Sequence, residues 1–504
     1  MDSDASRAQP IIEARSIDWV PTRERHGKLW HQAPLWFLGN FQYFTIPIGF
    51  IGPGLGLSVG WTILAGTLGI VVGTFFMAFH GSQGPRLGLP QMIQSRAQFG
   101  YRGVIVVLFA ALFTYVAFNV TDQVLLADGL SSAYGWNAEV VAVGSTLIAA
   151  TLAILGHDWV HRAFRALLIA SFPFMAIVSV AVLLGSVHGS HVASSHLGFT
   201  TVGFMAEFSA SAAYNITYAP YVSDYSRYLP VSTPTRRVIA SVFFGASASA
   251  VWLIALGAWL AVHLNAQDGL TALRAAGNGV VGGLGSVTAI LSAAALVATM
   301  GMNAYGGSLT LLTAIDSVRS ITPSRRWRLG VTVVLTVVWF AIAEFITQNA
   351  VNTVATALTL MLYLLVPWTA TNLVDFFVVR RGHYAIRDLF TPTGIYGAWS
   401  ARGLIAYAIG FASEVPFMVL GQLGPVSYTG PVARALGGVD ISWIVGLVAT
   451  AVAYLVLARL VPIPDEAARV AASDAWLDTI EASDAGPAGL SSSGTALGEV
   501  APEG

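Results

Sequence analysis

Long apolar stretches separated by short polar segments recur along the chain from Pro34 to Pro462. Most of them reach the length of about 20 residues that a helix needs to cross a bilayer core. Their apolar residues cover every face of such a helix, so no polar face is left to turn toward water. In lipid, every backbone polar group must be satisfied within the element, which favours helices. The pattern therefore predicts an all-α membrane protein.

We place twelve transmembrane helices on this pattern. Their approximate boundaries are 34–58, 61–80, 101–132, 138–156, 163–186, 201–222, 238–264, 280–315, 329–347, 350–378, 402–423 and 440–461. Composition agrees with this interpretation, because 55% of the residues are hydrophobic and only 10% are charged. Soluble domains are about a quarter charged, since their surfaces face water.

The basic residues of the loops predict the orientation. If both termini are cytoplasmic, every Lys and Arg of the chain lies on the cytoplasmic side except Arg274 and Arg434. This asymmetry is the one that the positive-inside rule describes. The segment from Met1 to His31 is polar and lacks the apolar core of a cleaved signal peptide. We therefore expect a multi-pass protein of the cell (inner) membrane with both termini in the cytoplasm.

Two predicted spans carry helix-weakening residues near their middles. The first contains Asn40 and Gln42 followed by Pro47, and the sixth contains Asn215 followed by Pro220. Such residues free backbone groups that lipid cannot satisfy, so the irregular segments must line a cavity or a protein interior. Spans one and six are five apart, as expected for two inverted five-helix repeats whose discontinuous helices meet at the membrane midplane. Two ordinary proline-kinked helices are the alternative.

Two motifs then point to a family. The loop 81–100 reads GSQGPRLGLPQMIQSRAQFG, and the segment 223–230 reads SDYSRYLP. Both resemble signatures of the nucleobase:cation symporter-1 family, which includes cytosine, purine, allantoin, uracil and hydantoin permeases. The resemblance covers about residues 30–460. It implies the LeuT-like fold, with two inverted five-helix repeats plus two helices, and transport by alternating access.

On this basis we divide the chain into five parts. The expected domains are a cytoplasmic N-terminal tail (1–33), the first five-helix repeat (34–186), the second, inverted repeat (201–378), two additional helices (402–461) and a cytoplasmic C-terminal tail (462–504). The C-terminal tail is rich in Ala, Ser, Gly and acidic residues, so we expect a short helix followed by disorder.

The resemblance also implies a function. It predicts a secondary active transporter that imports a nucleobase or related heterocycle, cytosine or a purine first, by cation symport. The alternative is an allantoin, hydantoin, uracil or thiamine-like permease of the same fold that is coupled to sodium. The expected partners are the small heterocycle and the lipid bilayer, with no nucleic acid and no obligate protein partner.

A site for a flat heterocycle needs aromatic faces for stacking and amide side chains for its polar edges. The spans that match the family's binding helices offer these residue types, and the resemblance assigns them as substrate ligands: Gln42, Tyr115, Asn119, Tyr214 and Asn303. Well-known members have tryptophan where this chain has Tyr115. Without the resemblance, the tyrosines could be core aromatics and the amides could be links between helices.

In sodium-coupled relatives the ion is held by a carbonyl and two adjacent hydroxyl side chains of span eight. Counting back from Asn303, the carbonyl position is Ala294 and the hydroxyl positions are Val297 and Ala298. Neither hydroxyl position has an oxygen side chain, although sodium requires oxygen ligands. Thr299 is one residue late, rotated by about 100° around the helix. The sodium site therefore looks disabled.

We therefore favour a proton over sodium as the coupling ion, which requires a titratable group within the membrane. The candidates are Asp122 on span three and Glu207 on span six. A structural hydrogen bond to a neighbouring helix is the alternative role for each. Asp128, Glu344 and Glu414 lie nearer helix ends, so we expect them to be in contact with water.

The two family motifs, 81–100 and 223–230, contain candidate residues for a cytoplasmic gate. We interpret Asp224 and Arg227 as a gating or loop-ordering pair near the inner mouth, because arginine and carboxylate pair well in such contacts. The loop 81–100 is expected at the inner face as a re-entrant or amphipathic linker, where Arg86 and Arg96 could bind anionic lipid.

Several other function classes lack their signatures. The chain has no cysteine, which excludes disulfides and thiolate metal sites, and it has no phosphate-binding loop, nucleophile motif or channel filter. His188, His191 and His196 cluster in one predicted external loop, but no carboxylate accompanies them. We therefore expect neither an enzyme nor a metal site, and no cofactor beyond the coupling ion, H+ or Na+.

Overall fold

The computed structural model describes residues 15–187, 197–322, 324–345, 350–423 and 426–483. Its helices in chain order are α1 Gln32–Asn40, α2 Thr45–Ile48, α3 Ile51–Gly54, α4 Val59–Gly81, α5 Gln83–Leu87, α6 Gln91–Gln94, α7 Arg96–Phe99, α8 Ile105–Tyr134, α9 Ala138–Leu155, α10 His157–Leu183, α11 Thr201–Ile216, α12 Ala219–Ser226, α13 Thr235–His263, α14 Gly269–Asn278, α15 Leu284–Val318, α16 Arg325–Glu344, α17 Ala350–Val374, α18 Ala401–Glu414, α19 Pro431–Ala435, α20 Ser442–Leu460 and α21 Glu466–Ser483. Strands β1 (Val419–Leu423) and β2 (Val426–Thr429) form an antiparallel hairpin.

Nine helices within the described ranges are long and apolar enough to cross a membrane. The three predicted spans that are not among them are 34–58, 201–222 and 402–423. The first is divided among α1, α2 and α3, the second between α11 and α12, and the third holds the short helix α18 and strand β1. The count of twelve spans and the domain boundaries therefore stay predictions.

Both predicted helix breaks are present. The first span leaves the helical path after Asn40 and resumes at Thr45. The sixth span is interrupted between Ile216 and Ala219, and Pro220, which has no N–H to place in a helix, lies in the first turn of α12. The two interruptions leave backbone carbonyl groups without helical partners, so side chains must satisfy them.

Small residues bring α4 and α13 against the broken helices. A Cβ atom added to Gly73 of α4 would lie 2.2 Å from the carbonyl oxygen of Ala212 on α11. One added to Gly257 of α13 would lie 2.1 Å from the carbonyl oxygen of Ile46 at the first break. Glycine at these positions allows the close approach of helix backbones that is common in membrane bundles.

The loop 81–100 is buried rather than spread along the inner surface. It folds into α5, α6 and α7, and of its residues only Arg86 is exposed. The Arg96 guanidinium donates to the carboxylate of Asp316 at 2.8 Å, with Arg96 almost fully buried. The expectation that Arg96 binds lipid is therefore wrong, because its charge is already paired inside the protein.

A second hydrophobic cluster covers the ends of the helices on the side of this loop. It joins the N-terminal segment, the loop 81–100, the segment 376–396 and α21, and its members include Ile17, Trp19, Leu89, Tyr384 and Val470. The helix expected in the C-terminal tail is thus present as α21. The residues after Ser483, and His188, His191 and His196, lie outside the described residues.

Candidate substrate-binding site

An aromatic cluster fills the space where the two breaks face α8. The Phe44 ring lies parallel to that of Tyr214, with centroids 5.3 Å apart and planes at 17°. The Phe118 ring lies parallel to that of Tyr218 at 5.6 Å and 12°. Phe44 and Phe118 meet edge to face at 5.6 Å. All four rings are buried, so the breaks are lined by aromatic faces of the kind on which a flat heterocycle stacks.

Gln42 and Tyr214 connect the two breaks directly. The Gln42 amide donates to the Tyr214 hydroxyl at 3.0 Å and to the carbonyl oxygen of Gly39 at 3.2 Å. Its side-chain oxygen accepts from the Phe44 N–H at 2.6 Å. The Thr45 hydroxyl lies 2.8 Å from the Tyr214 hydroxyl and donates to the carbonyl oxygen of Asn40. The side chains at the breaks thus satisfy the carbonyl groups that the helix releases.

Tyr115 lies on α8 between α12 and α15. Its hydroxyl donates to the carbonyl oxygen of Pro220 at 3.0 Å, and its ring centroid is 4.3 Å from that of Tyr221. Gly306 of α15 makes room for the ring, because a Cβ atom there would lie 2.6 Å from it. Tyr115 therefore joins α8 to α12, the helix that follows the second break.

Asn119, Asn303 and Asp122 form a buried polar group between α8 and α15. The Asn303 amide donates to the Asn119 side-chain oxygen at 3.0 Å and to an Asp122 carboxylate oxygen at 3.2 Å. The remaining two amide atoms, Asn119 Nδ2 and Asn303 Oδ1, are buried and have no hydrogen-bond partner. An unsatisfied buried donor or acceptor costs about 1–3 kcal/mol. One donor and one acceptor thus remain for a further partner. They lie beside the aromatic cluster, because Phe118, the residue before Asn119, packs on Tyr218.

Glu207, the second candidate for proton coupling, is not part of this polar group. Its carboxylate accepts from the backbone N–H of Gly52 at 2.9 Å and from the Ser211 hydroxyl at 3.3 Å. It therefore joins α11 to α3, one element beyond the first break, and both of its oxygens have partners within the protein.

The positions counted for sodium do not face the first break. Ala294, Val297 and Ala298 line an apolar cavity of about 950 Å³ between α8, α9, α10 and α15. The Thr299 hydroxyl donates to the carbonyl oxygen of Ala295 in its own helix at 3.1 Å. The three counted positions thus offer no oxygen side chain, and the Thr299 hydroxyl bonds within its own helix.

Asp224 and Arg227 anchor the end of α12 to neighbouring segments. The Asp224 carboxylate accepts from the Gln91 N–H at 2.9 Å, which ties α12 to α6. The Arg227 guanidinium donates to the carbonyl oxygen of Ser16 at 2.7 Å and to the Tyr305 hydroxyl at 3.4 Å. The pair thus holds the loop 81–100 and the N-terminal segment against the second broken helix.

Comparison with known proteins gives the family. The model of the family described as permeases for cytosine/purines, uracil, thiamine and allantoin matches residues 19–446. The chain belongs to this family. It is the nucleobase:cation symporter-1 family that the two motifs predicted, and its members are membrane permeases.

Relatives of this family are similar to this chain over most of its length. The protein YxlA of Bacillus subtilis, named as a candidate purine-cytosine permease, is 34% identical over 89% of this chain and 96% of its own length. The purine-cytosine permease fcyB of Emericella nidulans is 25% identical over 89% of each chain. Among solved structures, the family member Mhp1 in a closed conformation with bromovinylhydantoin bound matches with a TM-score of 0.68. That match, at 18% identity over 92% of this chain and 99% of Mhp1, confirms the predicted LeuT-like transporter fold.

Three residues of the aromatic cluster were missed by the sequence interpretation. Phe44 and Tyr218 lie in the breaks themselves, and Phe118 precedes Asn119 on α8. The signal was available, since each is an aromatic residue within four positions of a proposed ligand in this family. It was weak because 26 phenylalanines and 16 tyrosines are spread along the chain.

Proposed function

We propose that the protein is a secondary active transporter that imports a nucleobase, cytosine or a purine, across the cell membrane together with a proton. Both termini lie in the cytoplasm in this proposal, as the distribution of basic residues predicts. The substrate binds between the two breaks, in contact with Gln42, Tyr115, Asn119, Tyr214 and Asn303.

The observation that carries this proposal is the incomplete pairing of Asn119 and Asn303. One buried donor and one buried acceptor are left open beside a cluster of aromatic rings. The edge of a nucleobase presents an acceptor next to a donor, which is the pattern that asparagine and glutamine side chains recognise in adenine. A base that satisfies both atoms removes their desolvation cost, and its faces gain stacking of about 1–3 kcal/mol.

Asp122 supports the choice of the proton. It shares the Asn303 amide with Asn119, so a change in its protonation alters the same amide that the substrate would contact. Two ligands that act on one group affect each other's affinity reciprocally, which is the thermodynamic requirement for coupling. The apolar surroundings of Ala294, Val297 and Ala298 support the same choice, because sodium requires oxygen ligands.

The test is uptake of radiolabelled cytosine by membrane vesicles that contain the protein. Uptake is measured with and without sodium at external pH 5.5 and 7.5, with unlabelled adenine, hypoxanthine, uracil, allantoin and hydantoin as competitors. We expect uptake to follow the inward proton gradient and to be indifferent to sodium. The variant Asp122→Asn should abolish the pH dependence, whereas Glu139→Gln, a change at an exposed carboxylate, should leave it intact.

Two results would contradict parts of this proposal separately. Strict sodium dependence would contradict proton coupling and would leave the cargo assignment in place. Failure of cytosine and all purines to bind, with binding of allantoin, hydantoin, uracil or a thiamine-like compound, would favour the alternative cargo. The family description covers uracil, thiamine and allantoin as well as cytosine and purines.

A further inference from the structure

Glu414 is a second unusual carboxylate, far from the substrate site in the chain. It is the last residue of α18, a position from which contact with water was expected. The structure contradicts that expectation, because the residue is 0% exposed. Asp128 and Glu344, the other two carboxylates near helix ends, are exposed as expected.

Neither oxygen of the Glu414 carboxyl group has a hydrogen-bond partner. The group packs against α20 at Gly446, where an added Cβ atom would lie 1.8 Å from Oε1. The missing side chain of Gly446 therefore forms the recess that holds the carboxyl group. Trp443, three residues earlier and on the same face of α20, also has an indole N–H without a partner, so it does not donate to Glu414.

A neighbouring carboxylate shows what an ionised group requires here. Asp440, which precedes α20, accepts hydrogen bonds from Val419 N–H at 2.9 Å and from the Ser442 N–H and hydroxyl at 2.8 and 2.6 Å. It also accepts from the Tyr363 hydroxyl of α17. Four donors stabilise the charge of Asp440, whereas none stabilises a charge on Glu414. The two carboxyl groups therefore differ in how far the protein would stabilise a negative charge on them.

The groups that face Glu414 do not favour its ionised form. Of the described residues, Asp440 is the charged group that acts on it, and its negative charge opposes a second one. Tyr407 on α18 donates its hydroxyl to the carbonyl oxygen of Leu364, and Tyr363 on α17 donates to Asp440. A buried carboxylate without a partner or hydrogen bond is far too costly to persist as an ion.

We propose that Glu414 is a proton-binding site at the interface of α18 and α20, and that it carries its proton in this conformation. A metal ion is not the expected ligand, since such ions need several oxygen atoms and the described residues contain no group of three potential ligands. The proton can leave only when Glu414 gains donors or water, which requires α18 and α20 to separate at Gly446. This inference does not depend on the proposed substrate or coupling ion.

The first test compares the pH dependence of stability in the purified protein and in Glu414→Gln. In this proposal the folded protein holds the proton near neutral pH, whereas an unfolded glutamate in water does not. The stability that the proton contributes is therefore lost as pH rises. We expect unfolding temperatures, followed by tryptophan fluorescence between pH 5 and 8, to fall less steeply in Glu414→Gln by the equivalent of one proton. Glu139→Gln should match the unchanged protein.

Glutamine has the shape of the neutral carboxyl group, so Glu414→Gln should fold. If it does not fold, or if its pH dependence equals that of the unchanged protein, the proposal is wrong. A second measurement does not depend on that variant's folding. Of the described residues, Glu207 and Glu414 are the buried glutamates, so infrared spectra of Glu207→Gln with carboxyl-labelled glutamate report Glu414. We expect the C=O stretch of a protonated carboxyl at pH 7.5, and its absence would overturn the proposal.

Discussion

Two buried polar clusters in this protein differ in whether the group at their centre is fully paired. Directly after α17, the Asp375 carboxylate accepts from Gln98, Tyr384, Tyr454 and Arg380, so both of its oxygens are satisfied. Gln98 Oε1 and Arg380 Nη2 at the edge of this cluster have no partner. In the middle of the bundle, Asn119 and Asn303 satisfy each other only once and leave one donor and one acceptor open. Both clusters are buried, so the difference does not come from solvent.

The difference separates a role in holding the fold from a role in binding. The Asp375 carboxylate joins α7, α17 and α20, and through Arg380 the cluster reaches Glu466 of α21 at 2.5 Å. We call this cluster closed because its charged group is fully paired within the protein and has no position left for a ligand. An open cluster costs stability until a partner arrives. We therefore expect changes in the closed cluster to reduce stability and changes in the open cluster to reduce substrate binding.

The largest effect is expected in the closed cluster. The substitution Arg380→Met removes the positive charge beside Asp375 and leaves a buried carboxylate without its counter-ion. Breaking a buried ion pair in this way costs about 3–5 kcal/mol. The free energy of unfolding in detergent, followed by tryptophan fluorescence, measures this loss.

The matched control is an ion pair on the same side of the protein whose arginine is half exposed, while its carboxylate is buried. Arg469 pairs with Asp388 at 3.0 Å, and the Arg469 side chain is 51% exposed. We expect Arg469→Met to cost less than Arg380→Met, because Arg469 is already half in water and Asp388 also accepts from the Ile395 N–H at 3.0 Å. Equal losses in the two variants would show that pairing of Asp375 is not what stabilises this region.

The next effect is expected in the open cluster. The substitution Asn303→Ala removes the free acceptor and the amide shared by Asn119 and Asp122. We expect cytosine to bind about 5- to 150-fold more weakly, which corresponds to a loss of about 1–3 kcal/mol. Equilibrium binding of labelled cytosine to the purified protein measures the change.

The open cluster should respond in binding more than in stability. We expect the unfolding temperature of Asn303→Ala to change far less than that of Arg380→Met. A variant that binds cytosine normally, but unfolds at a much lower temperature, would make Asn303 a link between α8 and α15 rather than a substrate ligand.

A smaller effect on binding is expected at Tyr214, whose hydroxyl already contacts other side chains of the protein. The Tyr214 hydroxyl contacts Gln42 and Thr45, but each of these also donates to a backbone carbonyl, of Gly39 and Asn40 respectively. Tyr214→Phe should therefore cost only about 0.5–1.5 kcal/mol of binding, because the ring faces remain and no buried donor is orphaned. Tyr214→Ala, measured in the same binding assay, should cost more because stacking is lost. Equal losses would assign the whole contribution to the hydroxyl.

Residue type and spacing were enough to predict the broken helices. Proline, glycine and amides weaken a helix wherever they stand, so the interruptions after Asn40 and Ile216 could be located locally. Tyr115 and Asn119 could be placed on one face because they are one turn apart. The pairing of Asn303 with Asn119 could not be predicted, since these residues are 184 positions apart and only the packing of α8 on α15 brings them together.

The wrong expectations share one physical reason. Arg96 was expected at lipid and Glu414 at water because of their positions near loops and helix ends. Position along a helix does not report what packs over it. Asp316 reaches Arg96 from α15, and the absence of a side chain at Gly446 lets α20 cover Glu414. Both covering residues come from distant parts of the chain.

The smallest effect is expected at Thr299, and it tests the coupling ion. Thr299 is the hydroxyl residue nearest to the positions that hold sodium in relatives, but its hydroxyl donates to Ala295 within α15. If no sodium binds there, Thr299→Ala should leave cytosine uptake unchanged at every sodium concentration, since an internal helix hydrogen bond contributes little to either state. Uptake in vesicles between zero and saturating sodium is the measurement. A loss of uptake that excess sodium restores would place a cation ligand at Thr299 and would shift the register of α15 by one residue. In that case the roles of the two clusters in stability and in substrate binding would stand, and sodium would replace the proton as the coupling ion.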